Sequence, residues 1–393
     1  MTRARGLDLL RGLAVLAMIL VHAGKAFLDD ERHFGLGWWI YVPEPVIPAT
    51  FLALSGYAVA LANARGLLSW RTVGRRALEL WAIAAALFLV GYGVRLPDLV
   101  TSPGILAMIG VSSLVALACL QTARPVGTLA VVLGLHLGLY TLLDRLGVHV
   151  LAYNWGNESL GQNLAYALVG AIVGQLHVRR ATQPAWRPGD LVAFVPIACA
   201  MGYLVWSMPT SGPPAQTKND PLTDTVWSSL FYGAPGRGWL VRKMQGRHLG
   251  HQIEQLLGHP VPTYVLRFWV SRPPLVAFLC GLVALTMGLR PLLDRLAEAA
   301  GRVLRPIEVL GRHALVAYAV HLVLIGPLMI VLGARRMAPP AMLGWFAAVA
   351  GAMIALAHGL EARKQHKARV VAASMSCPPA TPRSRGRKKP RVQ

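Results

Sequence analysis

Long apolar stretches recur along almost the whole chain, and they constrain its fold more than any other feature. Each is about 17 to 25 residues long, which is the length a helix needs to cross about 30 Å of hydrocarbon at 1.5 Å per residue. With 55% hydrophobic and 14% charged residues among 393, the chain is too apolar for a soluble globular protein. The sequence therefore predicts an all-α bundle of about ten transmembrane helices.

The predicted spans form one membrane domain from residue 1 to residue 360. The first span has a basic flank but no small-residue cleavage site after it, so we expect it to be retained rather than removed as a signal peptide. The predicted spans are 9–24, 46–64, 77–94, 105–120, 126–143, 161–176, 191–208, 264–288, 309–332 and 341–360.

The distribution of arginine among the short loops predicts the orientation in the membrane. If the amino terminus is cytoplasmic, the inner loops hold the arginine excess, for example at Arg71, Arg179 and Arg302. We therefore expect both termini in the cytoplasm and a multi-pass protein of the plasma (inner) membrane. Residues 209–262 would then form an extracytoplasmic loop, long enough to cover a site.

The chain has a net charge of +22, which indicates an anionic binding partner. Much of the positive charge falls in 361–393, whose Pro, Ser and Arg content predicts a disordered basic cytoplasmic tail. Such a tail favours contact with anionic headgroups. The predicted partner of the positive charge is thus the lipid bilayer, and no nucleic acid is expected.

Cysteine and histidine spacing gives no sign of a metal site. The cysteines lack a paired spacing, and the HxxH at His248 and His251 has no nearby cysteine or pair of acids. The sequence therefore predicts no metal and no disulfide framework. The residues considered are Cys119, Cys199, Cys280, Cys377, His248, His251 and His259.

The first span carries polar residues at both of its ends. Asp8 and Arg11 are three residues apart and hence share a helix face, which predicts an ion pair that fixes the helix start. His22 lies about 16 Å further along the axis. An imidazole, with an ordinary pKa near 6.5, can act there as a general base, although a histidine at a helix end also fits a purely interfacial position.

The loop after the first span offers a second candidate base. His33 lies in an acidic stretch, and Glu44 comes just before the second span. An acid at this position could orient an imidazole and stabilise its protonated form, as in many acyl-transfer sites. A loop whose charges are simply solvated is the alternative interpretation.

Two further regions combine polar side chains with apolar surroundings. His321 lies near the middle of the ninth predicted span, and Tyr318 precedes it by one turn on the same face. Polar side chains at membrane depth are costly and usually face the bundle interior or a cavity. His136 and His358 also lie in or near spans, so residue type alone does not single out His321. Arg272, at the outer start of the eighth span, could receive an anionic group or reach towards the headgroups.

Several short blocks occur in an order that is typical of one family. The blocks are 7–14 through His22, 51–57, Arg75 with Arg76, 104–110, 271–274, and 310–318 with His321. In this order the chain resembles the membrane acyltransferases similar to heparan-α-glucosaminide N-acetyltransferase. These are relatives of the acyltransferase-3 and glucan succinyltransferase group.

The resemblance implies transfer of an acyl group, typically acetyl, from cytoplasmic acyl-CoA to an amine or hydroxyl. The acceptor would be a carbohydrate or a similar molecule on the outer side. In acyltransferase-3 proteins the histidine ends the first span, which matches His22. In the glucosaminide acetyltransferases it lies in the next loop, where His33 is the nearest match and Glu44 lies near the family's acid. The choice between the two histidines stays open.

The leading hypothesis is an acyl-CoA-dependent transferase in which His22 or His33 deprotonates the acceptor, with Glu44 as the accompanying acid. Arg75 and Arg76 would attract the phosphates of the coenzyme. The other predicted substrate-binding residues are Arg11, Arg272, Tyr318 and His321.

Two other classes of function are also compatible with the sequence. A transporter or flippase of a lipid-linked precursor is favoured by Pro196, Gly281 and Pro327 within spans, because such residues can break helices around a central site. A membrane scaffold without catalysis, acting through the basic tail, is the third. The residues do not decide between a monomer and a homo-oligomer, or between direct transfer and an acyl-enzyme.

Overall fold

The computed structural model describes residues 5–28, 46–92, 98–101, 103–146, 150, 153, 159–182, 273–332 and 337–376. Within these ranges the chain forms α-helices and no named strand, which confirms the all-α prediction for this part. The helices are α1 Arg5–Phe27, α2 Val46–Ala64, α3 Trp70–Tyr92, α4 Asp98–Thr101, α5 Ile105–Leu120, α6 Pro125–Leu146, α7 Leu160–Thr182, α8 Pro273–Gly288, α9 Arg290–Ala299, α10 Gly301–Arg312, α11 Ala314–Leu332 and α12 Pro339–Ser376.

Several of these helices have the length and apolarity of membrane spans. Four qualify singly in the described part, namely Arg5–Gly24, Val46–Ala64, Pro125–Leu143 and Pro339–Val370. A fifth candidate arises if α10 and the first part of α11 count as one broken span. The structure thus supports a helical membrane protein, while the count of ten spans and the cytoplasmic termini stay predictions.

Helix boundaries agree with the predicted spans where the apolar stretch has clear ends. Helices α2 and α5 begin and end at the predicted residues. Helix α3 begins at Trp70 rather than at residue 77, so its first turns hold polar residues ahead of the apolar part. The predicted span 191–208 and the predicted loop 209–262 lie outside the described residues.

The prediction of one continuous helix over 309–332 is wrong. The chain bends by 80° between Gly301–Arg312 and Ala314–Ile325, so the start of the predicted span belongs to α10. Glu308 and Arg312 of α10 form ion pairs, and His313 at the bend contacts Glu361 of α12. These polar side chains are therefore held at the end of the bundle instead of entering an apolar span.

The tail prediction also needs a correction at its start. Helix α12 continues past residue 360 to Ser376, so 361–376 is helical. Glu361 accepts hydrogen bonds from Arg312 Nη1 and His313 Nε2 at 2.9 and 3.2 Å, which attaches this part of α12 to the bend. Its Ala, Lys and Arg residues also have high helix propensity. Residues 377–393 lie outside the described part.

Two tight contacts between helices position the bundle. Helix α1 packs against α2 and α9 to α12, and its closest approach is to α10, where Gly12 and Gly311 face the backbone of the opposite helix. Helix α2 meets α7 in the same way through Gly56 and Gly170. A Cβ atom at any of these glycines would collide with a carbonyl oxygen. Small residues therefore allow the close backbone approach that membrane helices favour.

Candidate active site

Helices α1 and α11 bring two histidines of the predicted site together. Nδ1 of His22 lies 2.8 Å from Nε2 of His321. The rings are nearly parallel, at 12°, with centroids 5.1 Å apart. His321 is fully buried and His22 is partly buried. We refer to His22 and His321 as the histidine pair.

The hydrogen bonds of the histidine pair fix the tautomer of both rings. Nδ1 of His321 lies 2.8 Å from the carbonyl oxygen of Ala317. A carbonyl only accepts, so this nitrogen carries the proton, and Nε2 of neutral His321 is an acceptor. Nδ1 of His22 must then be the donor to His321. Neutral His22 consequently carries its acceptor lone pair on Nε2.

This arrangement is suited to accepting a proton on His22. If Nε2 takes up a proton, Nδ1–H still donates to His321, so the imidazolium keeps its partner. The arrangement is a base with an orienting acceptor, as in other acyl-transfer sites, except that the acceptor is a neutral imidazole. The Tyr318 ring lies edge-on to His321, with centroids 5.9 Å apart. The structure thus brings together three of the predicted site residues, His22, His321 and Tyr318.

The other intramembrane histidines have different surroundings. Nε2 of His136 donates to the carbonyl oxygen of Gly161 at 2.7 Å, and the Tyr153 hydroxyl lies 3.1 Å from Nδ1 and donates to the backbone carbonyl oxygen of His136 at 3.2 Å. Burial raises the pKa of the Tyr153 hydroxyl above its ordinary value. His358 donates to Ile354 within its own helix and is exposed. The contact with a histidine of another helix therefore distinguishes His321 from both.

A second group of polar residues lies where the start of α1 meets α10 and α12, and we call it the charged cluster. Arg11 donates to Asp8 at 3.1 Å, which confirms the predicted ion pair. The charged cluster consists of Arg5, Asp8, Arg11, Glu308, Arg312, His313 and Glu361.

Glu308 is the most buried member of the charged cluster, with 2% of its side chain exposed. Its carboxylate accepts two hydrogen bonds from Arg5, at 2.8 and 3.1 Å. Arg312 lies 3.5 Å from Asp8 and 2.9 Å from Glu361, so it links α10 to α1 and α12. These pairs hold three helices together. The Arg11 guanidinium pairs with Asp8. The predicted binding of substrate by Arg11 stays a prediction.

The remaining predicted site residues lie apart from the histidine pair or outside the described ranges. Arg75 and Arg76 are exposed on α3 and pair with Glu79 of the same helix at 3.0 and 3.2 Å. Their predicted contact with coenzyme phosphates stays a prediction. His33, Glu44 and Arg272 lie outside the described residues.

A polar link between α2, α7 and α9 was not foreseen from the sequence. Arg290 donates to the Tyr57 hydroxyl at 2.7 Å, and that hydroxyl is hydrogen-bonded to Nδ1 of His177 at 2.9 Å. Arg290 also pairs with Asp294, four residues further along α9. The i,i+4 spacing of Arg290 and Asp294 could have predicted their ion pair from the sequence. The contact with His177 depends on packing that no local pattern reveals.

The fold and the histidine pair define a class, namely an integral membrane protein of apolar helices with a hydrogen-bonded polar site between them. Residues 3–159 match the family model of the heparan-alpha-glucosaminide N-acetyltransferase catalytic domain. This match confirms the resemblance over that part of the chain, which includes α1 and therefore His22. It indicates a membrane acetyltransferase. A search of curated proteins found no match.

Proposed function

We propose that the protein is a membrane-embedded acetyltransferase. It moves an acetyl group from acetyl-CoA on the cytoplasmic side to an amine or hydroxyl of an extracytoplasmic carbohydrate acceptor. The observation that carries the proposal is the hydrogen bond between His22 and His321, because it orients a base inside the region that matches an acetyltransferase domain.

The proposed reaction uses His22 as general base. The acceptor amine or hydroxyl attacks the thioester carbonyl carbon while Nε2 of His22 takes its proton. The new C–N or C–O bond forms and the C–S bond breaks. The proton on His22 then passes to the departing thiolate, which leaves as the free thiol of coenzyme A. His321 stabilises the intermediate imidazolium through its hydrogen bond.

We centre the proposal on His22, which lies in the described part of the chain, whereas His33 lies outside it. His22 has a partner that sets its tautomer, and that partner is itself fixed by Ala317. A base held in one orientation contributes more to catalysis than a rotating one, because less freedom is lost in the transition state. The contribution of His33 and Glu44 stays a prediction from the sequence.

The length of α1 sets the distance that the acetyl group of acetyl-CoA must cover to reach His22. Arg5 and His22 are about 26 Å apart along the helix axis, close to the thickness of the hydrocarbon layer. With the predicted orientation, the coenzyme enters at the start of α1 and the acceptor at its far end. The thioester therefore extends into the bundle to meet the acceptor at His22.

The test is acetyl transfer by purified protein. Wild-type protein and the His22→Ala variant are incubated with radiolabelled acetyl-CoA and a panel of amino sugars and oligosaccharides. We expect a labelled acceptor with the wild type and at least about 10²-fold less with the variant. Absence of labelled acceptor across the panel, with intact binding of acetyl-CoA, would count against the proposal. Label on the protein itself would replace direct transfer by an acyl-enzyme.

Transport remains the second candidate because of one observation. Helices α10 and α11 are joined by an 80° bend, and broken helices are typical of transporter sites. Uptake of a labelled amino sugar into proteoliposomes in the absence of acetyl-CoA would support this alternative. Uptake that requires acetyl-CoA would support the acetyltransferase.

A further inference from the structure

A cavity of about 680 Å³ lies at the junction of α9 and α10. Its wall combines four arginines with two glutamates, so the charges that line it have a positive excess. The charged residues of the wall are Arg5, Arg302, Arg305, Arg312, Glu298 and Glu308.

The arginines of the cavity fall into two groups. Arg5 pairs with Glu308 at 2.8 Å, and Arg312 lies within 3.5 Å of both Asp8 and Glu361, so the charge of each arginine is compensated. Arg302 and Arg305 are exposed, and among the described residues no ion pair joins either of them to a carboxylate. These two guanidinium groups therefore provide the charge available to an anionic ligand.

Exposed apolar side chains also occur on α9 and α10, the two helices that meet at the cavity. Leu292 and Leu296 lie four residues apart on one face of α9, with 59% and 49% of each residue exposed. Val303 is 78% exposed and forms part of the cavity wall. Arginines beside exposed apolar residues on short helices are typical of elements that lie in the headgroup region of a membrane.

The geometry of the surrounding helices is consistent with a position of the cavity in the headgroup region. Arg5, in the cavity wall, begins a candidate membrane span, so the cavity lies at the end of that span. Helix α11 leaves α10 at 80°. If α11 crosses the bilayer, α10 runs closer to the membrane plane than to the membrane normal.

We propose that this cavity binds an anionic phospholipid. The phosphate contacts Arg302 and Arg305, and the acyl chains run along Leu292, Leu296 and Val303. A water-soluble phosphate compound such as a coenzyme would use the arginines but would leave the apolar side chains exposed. The lipid covers both the arginines and the apolar side chains.

The test is a lipid titration of full-length protein in a neutral detergent. Fluorescent phosphatidylglycerol is compared with phosphatidylcholine for the wild type and for the double variant Arg302→Gln with Arg305→Gln. We expect the wild type to prefer phosphatidylglycerol and the variant to bind it about 30-fold more weakly, about fivefold for each arginine. The matched control is Arg65→Gln with Arg71→Gln, which removes the same charge from exposed residues on the same predicted side and should keep the wild-type affinity.

Three outcomes would overturn the proposal. The first is an unchanged affinity in the Arg302 and Arg305 double variant. The second is an equal loss in both double variants, which would indicate a general effect of charge. The third is displacement of the labelled lipid by coenzyme A, which would assign the cavity to the acyl donor. Weaker lipid binding by Leu292→Gln with Leu296→Gln would support the apolar part of the site, and unchanged binding would contradict it.

Discussion

The histidine pair and the charged cluster both depend on α1, but they bind it to other helices in different ways. In the charged cluster, the carboxylates of Asp8, Glu308 and Glu361 each contact an arginine at 3.1 Å or less. In the histidine pair, one hydrogen bond between imidazoles joins α1 to α11, and a second, to a carbonyl of α11, orients His321. One site is held by opposite charges, and the other by uncharged rings.

The difference teaches which polar residues in this protein are suited to chemistry. A paired carboxylate and guanidinium lose their attraction if either changes its charge, so the charged cluster is suited to holding helices. An imidazole can gain a proton on Nε2 and still donate from Nδ1. The histidine pair can therefore change protonation without losing its own hydrogen bond. Four variants can break or sharpen this comparison.

The largest effect is expected from His22→Ala. Loss of the base should lower turnover by about 10² to 10⁴-fold while acetyl-CoA binding survives, because general-base catalysis contributes on this scale. Turnover is measured with radiolabelled acetyl-CoA. The matched control is His358→Ala, an exposed histidine that bonds only within its own helix and should keep its rate. Near-normal turnover of the His22 variant would remove the histidine pair from the chemistry.

A smaller loss is expected at His321, which acts through His22. His321→Leu removes the acceptor for Nδ1–H of His22, and a hydrogen bond to a charged group contributes about 1.5–3 kcal/mol. This corresponds to a rate reduced by about 10- to 10²-fold. We expect kcat to fall while the KM for acetyl-CoA stays constant.

His321→Gln provides the matched comparison for this positioning role. Its amide oxygen can accept the hydrogen bond from His22, so it should recover part of the lost rate. Equal rates for the Leu and Gln variants would show that His321 only fills space.

The charged cluster should respond in stability rather than in chemistry. Glu308→Gln removes the carboxylate that pairs with Arg5, while Arg312 keeps Asp8 and Glu361, and the variant should lower the free energy of unfolding by about 2 kcal/mol. This is less than the roughly 3–5 kcal/mol for a fully buried pair, because Arg5 is 37% exposed. Denaturant titration in detergent measures the loss, and turnover per folded molecule should stay close to that of the wild type.

The control for Glu308→Gln is Glu79→Gln, whose carboxylate pairs with two exposed arginines. Its unfolding free energy should hardly change, because solvent screens this exposed pair. If Glu308→Gln instead lowers kcat of folded protein as strongly as His22→Ala, the division between the two sites fails.

The smallest effect is expected from Arg75→Gln combined with Arg76→Gln. These exposed ion pairs within one helix contribute little to stability, so the unfolding midpoint should hardly move. The same variant tests the sequence hypothesis for the coenzyme. A raised KM for acetyl-CoA with unchanged kcat would support phosphate contacts by these arginines, and an unchanged KM would speak against them.

The sequence alone determined the features that depend on neighbours along the chain. The lengths of the apolar stretches gave the helical membrane class and the bounds of α2 and α5, because a helix must satisfy its own backbone in hydrocarbon. The spacing of Asp8 and Arg11 gave their ion pair, since residues three apart share a helix face.

Only the tertiary structure decided the features that depend on distant parts of the chain. His22 and His321 are 299 positions apart, and no periodicity connects them. Their contact requires the packing of α1 against α11, and α1 is also held by α10 at Gly12 and Gly311. The bend before α11 and the attachment of α12 to it involve ion pairs between helices, and these depend on residues far apart in the chain. The selection of His321 over His136 and His358 is therefore a result of packing, because all three are histidines in apolar helices and differ only in what surrounds them.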